Sequence, residues 1–96
     1  MAEGVKVTQV EFKASQPSEA ARGLLGWVSC TLNGSLRLDG IAVRRTLHGR
    51  LTLSFPARTD GTGRQHFYVR PLDNASRRAI ENAVFQNLGL EEVPAS

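Results

Sequence analysis

Asn33-Gly34 constrains the fold of this chain more than any other pair of residues in it. A type I′ turn needs positive φ at both central positions, which Asn and Gly tolerate best, and its twist matches that of the strands it joins. The preceding stretch, "LLGWVSCTL" (24–32), alternates, with Val28, Cys30 and Leu32 on one face and Trp27 on the other. "SLRL" follows the pair, so the spacing predicts a two-residue hairpin whose second arm runs straight back antiparallel.

The flanking segments extend that hairpin into a sheet. "VKVTQVEF" (5–12) reads as a strand whose phase slips from Val5 and Val7 to Val10 and Phe12, which predicts a bulge near Gln9. "KASQPSEAARG" (13–23) is polar, carries Pro17 and Gly23, and reads as a mobile loop. Asp39-Gly40 shifts the phase again, and Ile41 and Val43 continue a bent third strand to about Leu47. His48-Gly49 turns the chain into "RLTLSF", where Leu51, Leu53 and Phe55 alternate before Pro56 ends the strand. "ARTDGTG" reads as a loop, and "RQHFYVR" as a fifth strand with Phe67 and Val69 inward.

A helix follows, capped by Asp73 or Asn74 and running to about Leu88, with Ile80, Ala83, Val84 and Leu88 as its apolar stripe and Ala79 beside it. Gly89 and Leu90 match a Schellman ending. The expected fold is α+β: a five-stranded antiparallel sheet with a C-terminal helix packed on one face. Ninety-six residues make one domain, 1–96, with 1–4 and 91–96 expected to fray.

Several function classes have no support in the sequence. No run of about 18 apolar residues is present to span a membrane. "MAEGVKVTQV" lacks the features of a secretory signal, and the lone Cys30 fits a small core residue in a reducing cytoplasm, so a cytoplasmic location is expected. His48, His66 and Cys30 fall short of a four-ligand metal site, and both histidines read as surface residues. "GTGRQ" is no phosphate-binding loop, and no G-x-S-x-G elbow occurs. A non-catalytic protein without metal or cofactor is the expectation.

Charge supplies the positive signal. Net charge is only +3, yet residues 37–78 hold nine arginines against Asp39, Asp60 and Asp73, whereas 79–96 carry only acids. Ten of the twelve cations are arginine, whose planar fork suits phosphate or carboxylate. Strand parity puts Arg50, Thr52 and Ser54, then Arg64, His66, Tyr68 and Arg70, on the face opposite the core, joined by Arg44, Thr46 and His48. Arg45 falls on the apolar parity, where the core-facing part of the third strand should end. Tyr68, between two arginines, could stack an unpaired base, or it could simply be a sheet residue with a wet hydroxyl.

Arg77 and Arg78 occupy the first helical turn, where the helix dipole disfavours cations. They could join the free N–H groups there in holding a phosphate. The structural alternative pairs Arg77 with Asp73 or Glu81. Trp27 is expected either beneath the 13–23 loop or at a subunit contact.

From Val7 to Val84 the sequence resembles the stage V sporulation protein G (SpoVG) family of small bacterial septation and regulatory proteins. The resemblance rests on "VTQV", "CTLNGSLRLDGIAV", "FPARTDGTGRQ" and "RPLDNASRRAIENAV", in that order and spacing. It implies a homodimeric, non-catalytic protein that binds DNA and RNA and acts in cell division and in developmental or virulence gene control. Pro56, Arg58, Pro71, Ser76 and Arg77 fall on the family's matching positions. "HFYVRP" is bulkier than the family's usual stretch, the 14–23 loop is long, and "EEVPAS" stands where many members carry a charged, often basic, extension.

The expected nucleic-acid contacts are Arg44, Arg50, Arg58, Arg64, Tyr68, Arg70, Arg77 and Arg78. Dimerisation is expected through strand edges. The competing expectation is a protein–protein adaptor whose arginine-rich face meets an acidic partner.

Overall fold

The computed structural model describes residues 4–90; the fraying expected of 1–3 and 91–96 lies outside them. The elements are β1 (Val7–Ala14), α1 (Pro17–Ala20), β2 (Leu24–Leu32), β3 (Leu36–Arg45), β4 (Leu51–Ser54), β5 (Ala57–Thr59), β6 (Gln65–Phe67) and α2 (Asn74–Leu88). This is an α+β fold with antiparallel sheets. Strands β1 to β4 form one four-stranded sheet in chain order, and β5 and β6 form a separate two-stranded one. Among the described residues no helix is long and apolar enough to cross a membrane.

Asn33 and Gly34 take positive φ (52° and 67°), as a type I′ turn requires. The loop holds three residues rather than two, because Ser35 donates to the Leu32 carbonyl and Leu36 is the residue that pairs with Leu32. The turn is also tied to the start of β1, with Lys6 N–H donating to Asn33 Oδ1 and Asn33 N–H to the Lys6 carbonyl.

Bulges then reconcile the hydrophobic phases. In β1, Gln9 has φ 50° and the register slips between Thr8 and Glu11, so Val7 and Val10 both reach the core. In β3, Asp39 and Gly40 together oppose Ser29, which returns Leu38 and Ile41 to the same face. Gly26 has no room for a side chain, since a Cβ there would lie 2.3 Å from the Lys13 carbonyl and 2.6 Å from the Phe12 ring.

The core gathers Val28, Cys30, Leu38, Ile41, Val43, Leu51, Leu53 and Phe55 from the sheet with Ile80, Val84 and Phe85 from α2. Each large apolar side chain buried there contributes roughly 1.5–3 kcal/mol relative to exposure. Phe85 was not part of the expected stripe; it broadens the helix's buried face by one position beyond Ile80 and Val84. Asp73 caps α2 by accepting from Ser76 N–H, which holds its carboxyl below the usual range. At the other end Gly89 N–H bonds the Gln86 carbonyl and Leu90 N–H the Phe85 carbonyl, a complete Schellman pattern.

Further expectations need correction, among them the loop expected at 57–63, whose first three residues form β5. The polar 13–23 segment is not all loop: Pro17 opens a single helical turn, and Glu19 Oε1 accepts from Gln16 N–H at 3.4 Å. The fifth strand does not join the main sheet. Residues 65–67 pair instead with Ala57–Thr59, and the outer edge of β4 is occupied at its centre by side chains from α2. Phe67 therefore has no sheet face to cover it and is 46% exposed rather than inward, while Val69 packs at the core's margin.

Candidate functional site

The clearest built feature involves Arg77. In β4, Leu53 pairs with Val43 at a position where its own N–H and C=O point away from β3. Leu53 N–H donates to Glu81 Oε2 at 3.1 Å, and Arg77 Nη1 donates to the Leu53 carbonyl at 2.9 Å. Arg77 Nη1 and Glu81 Oε2 meet at 3.2 Å, and the guanidinium carbon sits 5.6 Å from the Phe55 ring centroid. The pair thus does for Leu53 what a neighbouring strand would do. The structural alternative foreseen for Arg77, pairing with Glu81, is the observed geometry. Arg78, the next residue, is exposed on α2 with no side-chain partner among the described residues.

A second built feature is the β5–β6 hairpin. Asp60 Oδ1 accepts from Thr62 N–H (2.9 Å), Thr62 Oγ1 (2.6 Å) and Arg64 N–H (3.1 Å), and Oδ2 lies 2.6 Å from His66 Nε2. These bonds, from the Thr62 hydroxyl first and His66 next, hold the Asp60 carboxyl far below its usual range. His66 is accordingly a half-buried member of this cluster rather than a free surface residue. Tyr68 N–H donates to the Pro56 carbonyl, leaving the ring 70% exposed. Arg58, opposite His66 across the hairpin, is exposed, as are Arg64 in the turn and Arg70 beyond β6. The sequence signal for this staple was the Asp in "TDGTG", a residue type that closes turns by accepting from backbone N–H groups two residues on.

The expected single basic face is divided between two surfaces. Arg44 lies opposite Thr52 and Ala42 opposite Ser54, so Arg44, Thr52 and Ser54 share the sheet face away from the core. Arg50 stands at the start of that row, with Thr46 N–H donating to its carbonyl. Arg64 lies in the turn of the separate hairpin, and Tyr68 and Arg70 just beyond its second strand. Of the nine arginines between 37 and 78, Arg37 pairs with Glu11 and Arg77 with Glu81. Among the described residues the other seven have no side-chain hydrogen bond or ion pair within the chain.

Arg37 had no assigned role in the sequence. It crosses three strands, donating to the carbonyl of the bulged Gln9 at 2.7 Å and to Thr31 Oγ1 at 3.0 Å while pairing with Glu11. Trp27, half-buried between Lys13 and Ala42, borders an open depression of about 520 Å³ with Glu11, Ser29, Arg37 and Asp39. Cys30 is buried, and burial pushes its thiol above its ordinary value, against the opposing pull of the Arg37 charge. Among the described residues no three His, Cys, Asp or Glu side chains gather as a metal site.

No family model matches the chain, and no curated protein matches it.

Proposed function

We propose that this chain is a SpoVG-like, non-catalytic regulatory module that binds DNA or RNA as a homodimer. The observation that carries it is that, among the described residues, seven of the nine arginines between 37 and 78 have no acidic partner, in a fold that pairs Arg37 and Arg77 internally. Unpaired guanidiniums are free to neutralise phosphates, which supplies most of the affinity in this kind of binding. Arg58, Arg64 and Arg70 sit on or beside the Asp60-stapled hairpin with the exposed Tyr68 ring among them, a combination suited to an unpaired strand. Arg44 and Arg50 add a second basic surface on the main-sheet face away from the core, and Arg78 adds an exposed cation on α2. Arg77 serves mainly as scaffold here, because its Nη1 already bonds both the Leu53 carbonyl and Glu81.

Self-association would run through β1, the sheet edge opposite the one that Arg77 and Glu81 close. The ordered motifs shared with the SpoVG family support the link to septation and gene control. Salt titration of binding to duplex DNA, single-stranded RNA and polyglutamate tests the proposal. Steeply salt-dependent binding to the nucleic acids that exceeds binding to polyglutamate is the expected result. Preference for polyglutamate would favour an adaptor for an acidic protein.

A further inference from the structure

Among the described residues, the β3–β4 turn is where a fully exposed large apolar side chain stands between unpaired cations. Leu47 is 103% exposed at its tip. A single exposed leucine is ordinary by itself. What sets this one apart is its surroundings. Residues 40–59 contain no Asp or Glu, while Arg44, Arg45 and Arg50 flank the turn.

The hydrogen-bond register places Arg44 and Arg50 on one face of the hairpin and Arg45 on the other, so cations stand on both sides of Leu47. The tip is also held in shape. Thr46 N–H donates to the Arg50 carbonyl at 2.8 Å, Arg50 N–H to Thr46 Oγ1 at 3.1 Å, and Gly49 N–H to the Thr46 carbonyl at 3.0 Å.

A second turn is locked against it. Arg45 N–H donates to the Gly23 carbonyl at 2.7 Å, and a Cβ on Gly23 would stand 2.6 Å from the Arg45 carbonyl oxygen. This close approach brings Arg22 to the same end of the molecule, across a groove of about 320 Å³ lined by Ala20, Ala21, Arg45 and Leu47. Glu19, the acid nearest in sequence, is turned to the Gln16 amide instead.

We propose that this tip is a wedge for duplex nucleic acid, with Leu47 entering between base steps from the minor groove while Arg22, Arg44, Arg45 and Arg50 hold the phosphates on either side. The inference rests on the nucleic-acid function proposed above and adds a mode of binding to it. An apolar side chain carried on a basic β-hairpin matches what such insertion needs: a hydrophobic face for the unstacked bases and cations for both backbones. An anionic lipid surface fits less well. One leucine gives far less apolar burial than a single acyl chain, which itself anchors only marginally.

The test uses the full chain and a duplex of about 30 base pairs, short against the persistence length, with a fluorophore at each end. The wild type is expected to shorten the end-to-end distance. Leu47→Ser should abolish the shortening and weaken duplex binding by about tenfold or more, and Leu47→Phe should preserve both. Binding of Leu47→Ser to a single-stranded oligonucleotide should change by less than about twofold, since the arginines that hold phosphates are intact. Normal shortening by Leu47→Ser overturns the wedge and leaves nucleic-acid binding standing. A wild type that holds neither duplex nor single strand at about 50 mM salt overturns both proposals. Tighter binding to phosphatidylserine vesicles than to duplex, abolished in Leu47→Ser, overturns the wedge in favour of a lipid surface.

Discussion

Arg77 and Glu81, one helical turn apart, close together on Leu53 and satisfy both of its outward backbone groups. Removing either partner leaves a strand-edge group without its hydrogen bond and a charge without its counterion. Arg77→Ala should therefore lower unfolding stability by roughly 1.5–3 kcal/mol in a urea melt, the range for hydrogen bonds to charged groups. Arg78→Ala, at an exposed position with no side-chain partner among the described residues, should stay within about 0.5 kcal/mol of the parent. A stable Arg77→Ala protein that no longer binds nucleic acid would reverse the assignment of Arg77 as scaffold.

Asp60 gives the hairpin an acid-sensitive lock. Its carboxyl is depressed below the ordinary 3.8, so ionised Asp60 favours the folded hairpin at neutral pH. That contribution is complete above the unfolded value, shrinks as pH falls below it, and is gone once pH passes the folded value. Amide exchange at Thr62 and Arg64 should accordingly speed up below about pH 4, beyond the intrinsic pH trend. Asp60→Asn should exchange fast at neutral pH and lack the acid-dependent step.

Arg58, Arg64 and Arg70 should act on affinity through charge alone. Replacing all three with Ala should weaken binding to unrelated duplex sequences about equally. The plot of log K against log salt should flatten by about 0.9 for each phosphate that is no longer neutralised. An unchanged slope would remove the hairpin from the interface.

Tyr68→Ala separates stacking from charge. Single-stranded binding should fall by about 1–3 kcal/mol, with a smaller decrease on duplex, because only unpaired bases offer a free face. Equal decreases on the two substrates would make Tyr68 a structural residue.

Edge pairing can be blocked at one atom. Ser15 N–H donates to the Leu25 carbonyl, so by alternation along β1 the Ala14 N–H faces away from β2. Ala14→Pro should keep the fold and shift light scattering from dimer to monomer, since proline offers no donor at that edge. A wild type that scatters as monomer at micromolar concentration would count against dimerisation.

What the sequence made legible was local. The Gln9 bulge, the Asn33-Gly34 turn, the Asp73 cap and the Gly89-Leu90 ending each depend on residues a few positions apart, and each is present. The features it hid depend on distant residues. Residues 65–67 pair with 57–59 while Arg77 and Glu81 occupy the edge of β4, an arrangement that alternation within 64–70 does not encode. Arg37 meets Glu11 across 26 positions only because two bulges set the register. Phe85 is not singled out by the helical period, which the stripe through Ile80, Val84 and Leu88 already satisfies.

The clamp on Leu53 also sets how many neighbours this sheet can accept. With β4 blocked at its centre, β1 is the edge of the four-stranded sheet left open to a partner strand, and a sheet with one such edge has a valence of one. Two copies meeting across a two-fold axis would use up both of these edges and leave no open edge on either four-stranded sheet. Head-to-tail growth into a filament needs a donor edge and an acceptor edge on every copy. By committing one arginine and one glutamate to its own backbone, the chain turns an open-ended surface into a terminating one.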